Sequence, residues 1–278
     1  MHNIDPKLNE YIHQWGARSI PFNDTEGQKP FESEQTRQAE ELLQQTAALR
    51  SVMLLSGDNG VGKSSLAAHW IRKLEPSRYL PVIITQATLS ASGLLSTLLN
   101  KLGEQPGGRR ATNLLKLEKA IHQLNGIIPV VLLDEAQNYP ASALEELRLL
   151  LGLNLPAQPL FSFILIGDRH LLSTLRLQCH RALYSRISST HTLTPLPSDQ
   201  IEPYLRHGLR QSGLDRQLYE PAAIDLLAAA SEGIPRTINH LARASWIEAS
   251  NEKSSTITAQ HLKIALARIP IARDKINL

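Results

Sequence analysis

Between residues 51 and 193 the chain alternates two kinds of hydrophobic pattern. Short, continuous apolar runs occur at SVMLLS (51–56), LPVIIT (80–85), IIPVVLL (127–133) and FSFILIG (161–167), with a weaker one at 187–193. Between them lie segments whose apolar positions recur at helical spacing, around 65–74, 91–102, 113–124 and 141–151. A further helix is predicted over 33–49, with Glu34, Glu40 and Glu41 towards its start, where acidic side chains suit the positive end of the helix. Strands written as unbroken apolar runs are buried on both faces. Alternation with helices therefore predicts a five-stranded parallel sheet covered by helices on both faces.

The strand pattern stops after Pro195 and Pro197. Helices are predicted over Ser198–Ser212, Pro221–Ser231, Pro235–Ser250 and Thr258–Ala267, with Ser198 and Pro235 suited to helix starts. The expected organisation is an N-terminal lead-in over 1–32, an α/β domain over 33–196 and an all-helical lid domain over 197–278. The lead-in reads as irregular because of Pro6, Pro21, Gly27 and Pro30, with a small apolar cluster at Trp15, Ile20 and Phe22.

Composition narrows the picture little. Hydrophobic residues at 42% and charged residues at 20% fit a globular protein and exclude wholesale disorder. A net charge of +3, from 29 basic and 26 acidic residues, permits contact with a polyanion without requiring it. A single cysteine, Cys179, excludes an internal disulfide and is expected to be a small, partly buried side chain; no Cys/His cluster has zinc-ligand spacing. The N-terminus lacks the basic-then-apolar order of a signal peptide, and the apolar runs are too short to cross a bilayer. A cytoplasmic location is expected.

The chemistry begins at GDNGVGKS, Gly57 to Ser64, directly after the first strand and directly before a helix. This fits G-x-x-x-x-G-K-[ST], the phosphate-binding P-loop. Its glycines let successive backbone N–H groups turn inward onto phosphate oxygens, and the following helix aims its positive end at the same point. The expected nucleotide contacts are Gly57, Asp58, Asn59, Gly60, Val61, Gly62, Lys63, Ser64 and Ser65. Lys63 would meet the β- and γ-phosphates of ATP, and the Ser64 hydroxyl is a natural Mg²⁺ ligand. The third strand ends in Asp134 and Glu135. Carboxylates at the C-terminal end of a buried strand stand where open α/β sheets place ligands. Asp134 would hold Mg²⁺ beside Ser64, and Glu135 would accept a proton from the water attacking the γ-phosphate. Two acids at a strand end are also ordinary first residues of a helix; the P-loop upstream favours the catalytic reading.

The Gly57–Ser64 loop, the DEAQ run at 134–137 and GIPRTIN at 233–239 in a helical tail together resemble the AAA+ ATPases. Within them the chain is similar to the ExeA/TniB-like group, which includes ATP-dependent helpers of bacterial transposons. LLDEAQ, an ILIGD-like fourth strand, the SRI segment at 185–187 and GxPRxxN follow in that group's order, from the PF pair at 21–22 to about residue 267. The resemblance implies an ATPase that self-assembles into a ring or filament. It implies that Arg186 is an arginine finger reaching a neighbour's ATP, with Arg181 as fallback, and that Arg236 is the sensor-2 arginine. It also implies that Ile20, Pro21 and Phe22 pack beside the adenine; a hydrophobic anchor for the N-terminal segment explains the same three residues.

One position departs from the general AAA+ pattern. The fourth strand ends Gly167-Asp168 where a neutral polar residue, sensor 1, would help orient the attacking water. A carboxylate there needs a partner such as Arg169, or another role.

The resemblance implies two uses of such an engine. In the first, ATP drives assembly on duplex DNA, largely without sequence preference, and a transposase is recruited or activated there. Lys101, Arg109, Arg110, Lys116 and Lys119, on and around the Gly-rich stretch GEQPGGRR (103–110), are the candidate phosphate-backbone contacts. A flexible, solvated loop with helix-surface lysines explains them as well. The absence of a membrane span and of a further C-terminal domain, which secretion-associated ExeA proteins carry, favours this use. In the second, the protein is an assembly factor or signalling switch that binds proteins and no DNA. A small-molecule kinase would leave the acid pair and the helical tail unexplained.

Overall fold

The computed structural model describes residues 5–23, 29–86, 88–154 and 158–269. In chain order the elements are α1 (Pro6–Trp15), α2 (Glu34–Leu49), β1 (Val52–Gly57), α3 (Lys63–Lys73), β2 (Tyr79–Ile84), α4 (Ala91–Lys101) and α5 (Arg110–Gln123). Then come β3 (Ile128–Leu133), a 3-10 turn over Ala136–Asn138, α6 (Ala141–Leu150), β4 (Ser162–Gly167), α7 (Arg169–Leu175), a second 3-10 turn over Gln178–His180, α8 (Arg181–Tyr184) and β5 (Ile187–Leu193). Four helices follow: α9 (Ser198–Gln211), α10 (Pro221–Ser231), α11 (Pro235–Asn251) and α12 (Ala259–Arg268). The chain divides into two compact units. One comprises Glu32–Asn59 and Lys63–Leu193; the other comprises Met1–Phe31, Gly60–Gly62 and Thr194–Leu278.

The first unit is a five-stranded sheet in the order β2-β3-β4-β1-β5. Every pairing is parallel. β1 and β4 are buried along their whole length, which is why both read as unbroken apolar runs. Register brings Leu54, Leu165 and Leu133 level across three adjacent strands. The chain leaving β1, β4 and β3 therefore emerges at one rim, and that rim carries Gly57, Asp168 and the Asp134–Glu135 pair. The core joins strand residues such as Val131, Phe163 and Leu165 to Leu94, Leu98, Leu117 and Leu147 of the flanking helices. Each fully buried side chain of this kind contributes about 1.5–3 kcal/mol over its exposed state.

Local chemistry sets the helix ends. Ser33 caps α2 through a reciprocal box with Thr36, and Ser90 caps α4 by accepting from the Gly93 N–H. α5 starts at Arg110, three residues before the sequence-predicted start at 113. Two contacts account for the extra turn. The buried Asn113 side chain brackets Gly107, accepting from its N–H at 2.6 Å and donating to its carbonyl at 3.1 Å. Arg110 donates to both oxygens of Glu146, whose side chain is almost fully buried. The stretch expected to be a flexible loop is thus fastened at its C-terminal end. Cys179, expected to be partly buried, is exposed.

The second unit contains α9–α12 and α1. The sequence pattern predicts an irregular lead-in; instead residues 6–15 are helical. Pro6 opens the helix, Asp5 caps it by accepting from the Lys7 N–H at 2.8 Å, and Gly16 closes it at φ 70°. Its apolar face packs on α11, with the Tyr11 and Trp246 rings 6.2 Å apart and Trp15 Nε1 donating to Ser250 Oγ at 2.7 Å. Phe22 is buried, edge-on to Tyr219 at 6.1 Å. In this structure Phe22 does what the hydrophobic-anchor reading expects. Among the described residues no helix is long and apolar enough to cross a membrane.

Candidate nucleotide-binding site

Residues 57–64 bridge β1 to α3 in a turn that needs three positive-φ glycines: Gly57 at 152°, Gly60 at 88° and Gly62 at 100°. A side chain is strained at such angles, so these positions explain the glycine spacing of the motif. α3 begins at Lys63, and the first amides of any helix lack intrahelical acceptors. Those amides and the helix dipole favour an anion at this point.

Lys63 is 8% exposed. Its Nζ donates to the carbonyls of Gly57 at 2.8 Å and Asp58 at 3.1 Å. Burial pushes its pKa below the ordinary lysine range, opposed by the negative charges of Glu135, Asp134, Asp168 and Asp58. The lysine and the acid pair, 71 and 72 residues apart in sequence, therefore share one electrostatic environment. A lone buried ammonium among carboxylates is poised to accept a polyanion together with a second cation.

Asp134 continues the β2–β3 ladder by one bond, its N–H donating to the Ile84 carbonyl at 3.1 Å, and its Oδ1 accepts from the Glu135 N–H at 2.9 Å. Glu135 steps out of the strand with φ 51°, a left-handed conformation that costs a non-glycine residue roughly 1–3 kcal/mol. Gln137, in the turn that follows, donates through Nε2 to Glu135 Oε2 and accepts the Asp168 N–H on Oε1 at 3.2 Å. Tyr139 lies close enough to Asp134 to feel its charge. Burial first, and Asp134 second, push its phenol up to about 12, and its buried hydroxyl has no hydrogen-bond partner among the described residues.

Asp168 takes the second of its two alternatives, another role. Its Oδ1 accepts from the N–H groups of His170 and Leu171 at 2.9 and 3.1 Å, so it caps α7. Arg169 pairs instead with Asp58 of the P-loop, at 2.8 Å. With side chains 57% and 43% exposed, that pair contributes about 0–1 kcal/mol.

A magnesium ion fits the side chains present. Among the described residues no cluster of three or more His, Cys, Asp or Glu could hold a metal by itself. Mg²⁺ accompanying a nucleotide is characteristically held by one or two protein oxygens, with phosphate and water completing the shell. The Ser64 hydroxyl, exposed in the first turn of α3, and the second oxygen of Asp134 are donors of that kind.

The remaining predicted residues fall in different places. Arg186 is partly exposed just before β5, Arg181 is exposed at the start of α8, and neither makes a side-chain bond among the described residues. In the helical unit, the Arg236 N–H donates to the Gly60 carbonyl at 3.1 Å. A Cβ on Gly60 would stand 2.9 Å from that of Arg236, a second reason for glycine there. Of the five basic candidates for DNA contact, Lys101, Arg109 and Lys119 are exposed and make no side-chain bond among the described residues. Arg110 is committed to Glu146, and the Lys116 Nζ donates to the Gln105 carbonyl at 2.7 Å. The sequence pattern assigns no role to Gln137 or Tyr139, and offers Arg169 only as a partner for Asp168. Gln137 and Tyr139 lie just beyond the acid pair, but the bond from Gln137 to Asp168 depends on β4 standing beside β3.

This sheet, its glycine loop and its strand-end acids define a P-loop nucleotide-binding fold with a helical C-terminal region. Residues 46–175 match the protein-family profile described as AAA domain. General secretion pathway protein A of Aeromonas hydrophila is 28% identical over 227 residues, covering 80% of this chain. The chain spans 41% of that relative's length. The Aeropyrum pernix ORC2 protein, solved in ADPNP–ADP complexes, has the same fold with a TM-score of 0.68 at 18% identity, over 88% of this chain and 70% of its own. The Aeropyrum pernix ORC1 protein, solved in complex with DNA, aligns with a TM-score of 0.61 at 20% identity, over 89% of this chain and 66% of its own. Together, the family match and the fold support an ATPase of the AAA+ class.

Proposed function

We propose that the protein binds ATP·Mg²⁺ between the Gly57–Ser65 segment and the Asp134–Glu135 pair, hydrolyses it, and uses the cycle to assemble on duplex DNA as the helper of a transposase. The observation that carries the catalytic part is the buried Lys63 ammonium in the field of Glu135 and Asp134. In this reading Lys63 leaves its two loop carbonyls for the β- and γ-phosphates, and the backbone amides of the loop hold the remaining phosphate oxygens. Ser64 and Asp134 would hold the magnesium ion, which would supply positive charge against the phosphates. Glu135 takes the proton of the attacking water. Arg236 acts as the lid's nucleotide sensor, and residues 1–32, 33–196 and 197–278 are the functional divisions.

Arg186 is proposed as the finger that completes a neighbour's site, which makes self-assembly part of catalysis. Arg186→Ala is expected to fold normally and lose hydrolysis by roughly 10³-fold or more. Mixing it with Lys63→Ala protein restores part of the rate, because each mutant subunit supplies what its neighbour lacks. Phosphate release measured across mixing ratios checks this; no recovery at any ratio assigns Arg186 a structural role, and the same assay on Arg181→Ala tests the fallback.

Support for DNA comes from the exposed Lys101, Arg109 and Lys119 and from the fold shared with an ORC1 protein solved on DNA. Retention on duplex DNA with a non-hydrolysable ATP analogue is expected to fall steeply with salt. Replacing any one of those three by alanine lowers the log–log salt slope by about one. Arg110→Ala and Lys116→Ala change it less, because their side chains already bond within the protein. Fluorescence anisotropy across a salt series reads both.

Similarity to a general secretion pathway protein favours a second reading, an ATP-dependent protein-assembly factor without DNA. Absence of DNA retention at low salt, with ATP-dependent oligomers still forming, selects it.

A further inference from the structure

Glu135 sits on the exposed rim with a long, rotatable side chain, and its backbone is held at φ 51°. A general base works only within hydrogen-bond reach of the proton it takes, so an unrestrained glutamate there would be a poor one. We infer that Gln137 is the positioning residue for that base, its carboxamide tying the Glu135 carboxylate to the C-terminal end of β4.

The geometry fixes which way the amide points. The Asp168 backbone N–H can only donate, so the Gln137 atom facing it at 3.2 Å is the oxygen, and the nitrogen faces Glu135 Oε2. A glutamine has one acceptor end and one donor end, and both are used. An ionised acidic side chain could not donate to Glu135, and an aliphatic one could make neither bond. β4 also makes room for the bridge. A Cβ on Gly167 would lie 2.8 Å from Gln137 Oε1 and 2.6 Å from Leu171 Cδ2, so a side chain at the last residue of the strand would push the amide from the place it takes. The turn carrying Gln137 is held in turn by the Asn138 N–H, which donates to the Glu135 carbonyl at 2.9 Å. Among the described residues no other side chain bonds the Glu135 carboxylate, which leaves Oε1 for the attacking water. The strand end that should orient the water in AAA+ proteins carries a helix cap here. Through Gln137 that same strand end orients the base.

This inference rests on Glu135 being the base. Gln137→Met keeps the length and removes both bonds; Gln137→Glu keeps the acceptor for the Asp168 N–H and removes the donor. Both are expected to lower kcat for ATP by on the order of 10- to 100-fold with KM and ATP-analogue affinity unchanged. In a Glu135→Gln background Gln137→Met is expected to cost nothing further, since the group it positions is already gone. Single-turnover rates on the full chain, with the thermal midpoint as a folding control, read all three. Parental or raised kcat in both Gln137 variants overturns the inference, as does an undiminished further loss in the Glu135→Gln background. A Glu135→Gln protein that turns over at the parental rate overturns the base assignment itself, a separate result.

Discussion

Lys63→Ala is expected to lose ATP affinity by about 10²- to 10⁴-fold while remaining folded. Hydrogen bonds to charged groups contribute about 1.5–3 kcal/mol each, and the lysine has two phosphates to meet, which gives about 3–6 kcal/mol. Folding should suffer much less. The ammonium is buried, and burial disfavours its charge while four carboxylates favour it, so its removal takes away a cost and a gain together. Titration with a fluorescent ATP analogue, read beside a thermal melt, separates the two effects. Affinity equal to the parent's would count against the whole phosphate site, because among the described residues no other lysine is buried.

Glu135→Gln is expected to bind ATP as tightly as the parent, or tighter, and to slow turnover by about 10²- to 10⁴-fold, the range a positioned general base contributes. The substitution keeps size and removes only the ability to take a proton. Its amide can still meet Gln137 Nε2 through its own oxygen, so the turn is preserved. Because chemistry stops after binding, the ATP-bound assembly accumulates, and light scattering or electron microscopy should show it persisting after ATP addition. Parental turnover would move the base to another residue.

The parts of this protein legible in its sequence are those whose cause is local. Unbroken apolar runs report strands buried on both faces, so β1, β3 and β4 fall within a residue or so of their predicted limits. The glycine spacing of 57–62 reports backbone angles that side chains resist. Strand order is not local: that β4 lies between β3 and β1 follows from packing, and only this order lets Gln137 reach Asp168. Asp168 escapes a sequence reading for a related reason. Its position after an apolar run suggests a strand-end sensor, whereas Asp followed by a helix-forming RHLLSTL segment also spells an N-cap. α1 is hidden because Pro6, Pro21, Gly27 and Pro30 look like breakers, whereas Pro6 marks a helix start and Gly16 its stop. Its apolar stripe of Tyr11, Ile12 and Trp15 is too short to stand out without the surface it meets.

That surface has a consequence for how the molecule is made. Trp15 bonds to Ser250, a partner 235 positions further along. On the ribosome α1 is synthesised early, yet the hydroxyl that receives its indole arrives only with α11. The sheet-bearing half can condense in the interval, whereas the other half closes only when α11 has joined α1. A stop codon ahead of α11 would therefore strand the aromatic face of α1, more than two hundred positions upstream.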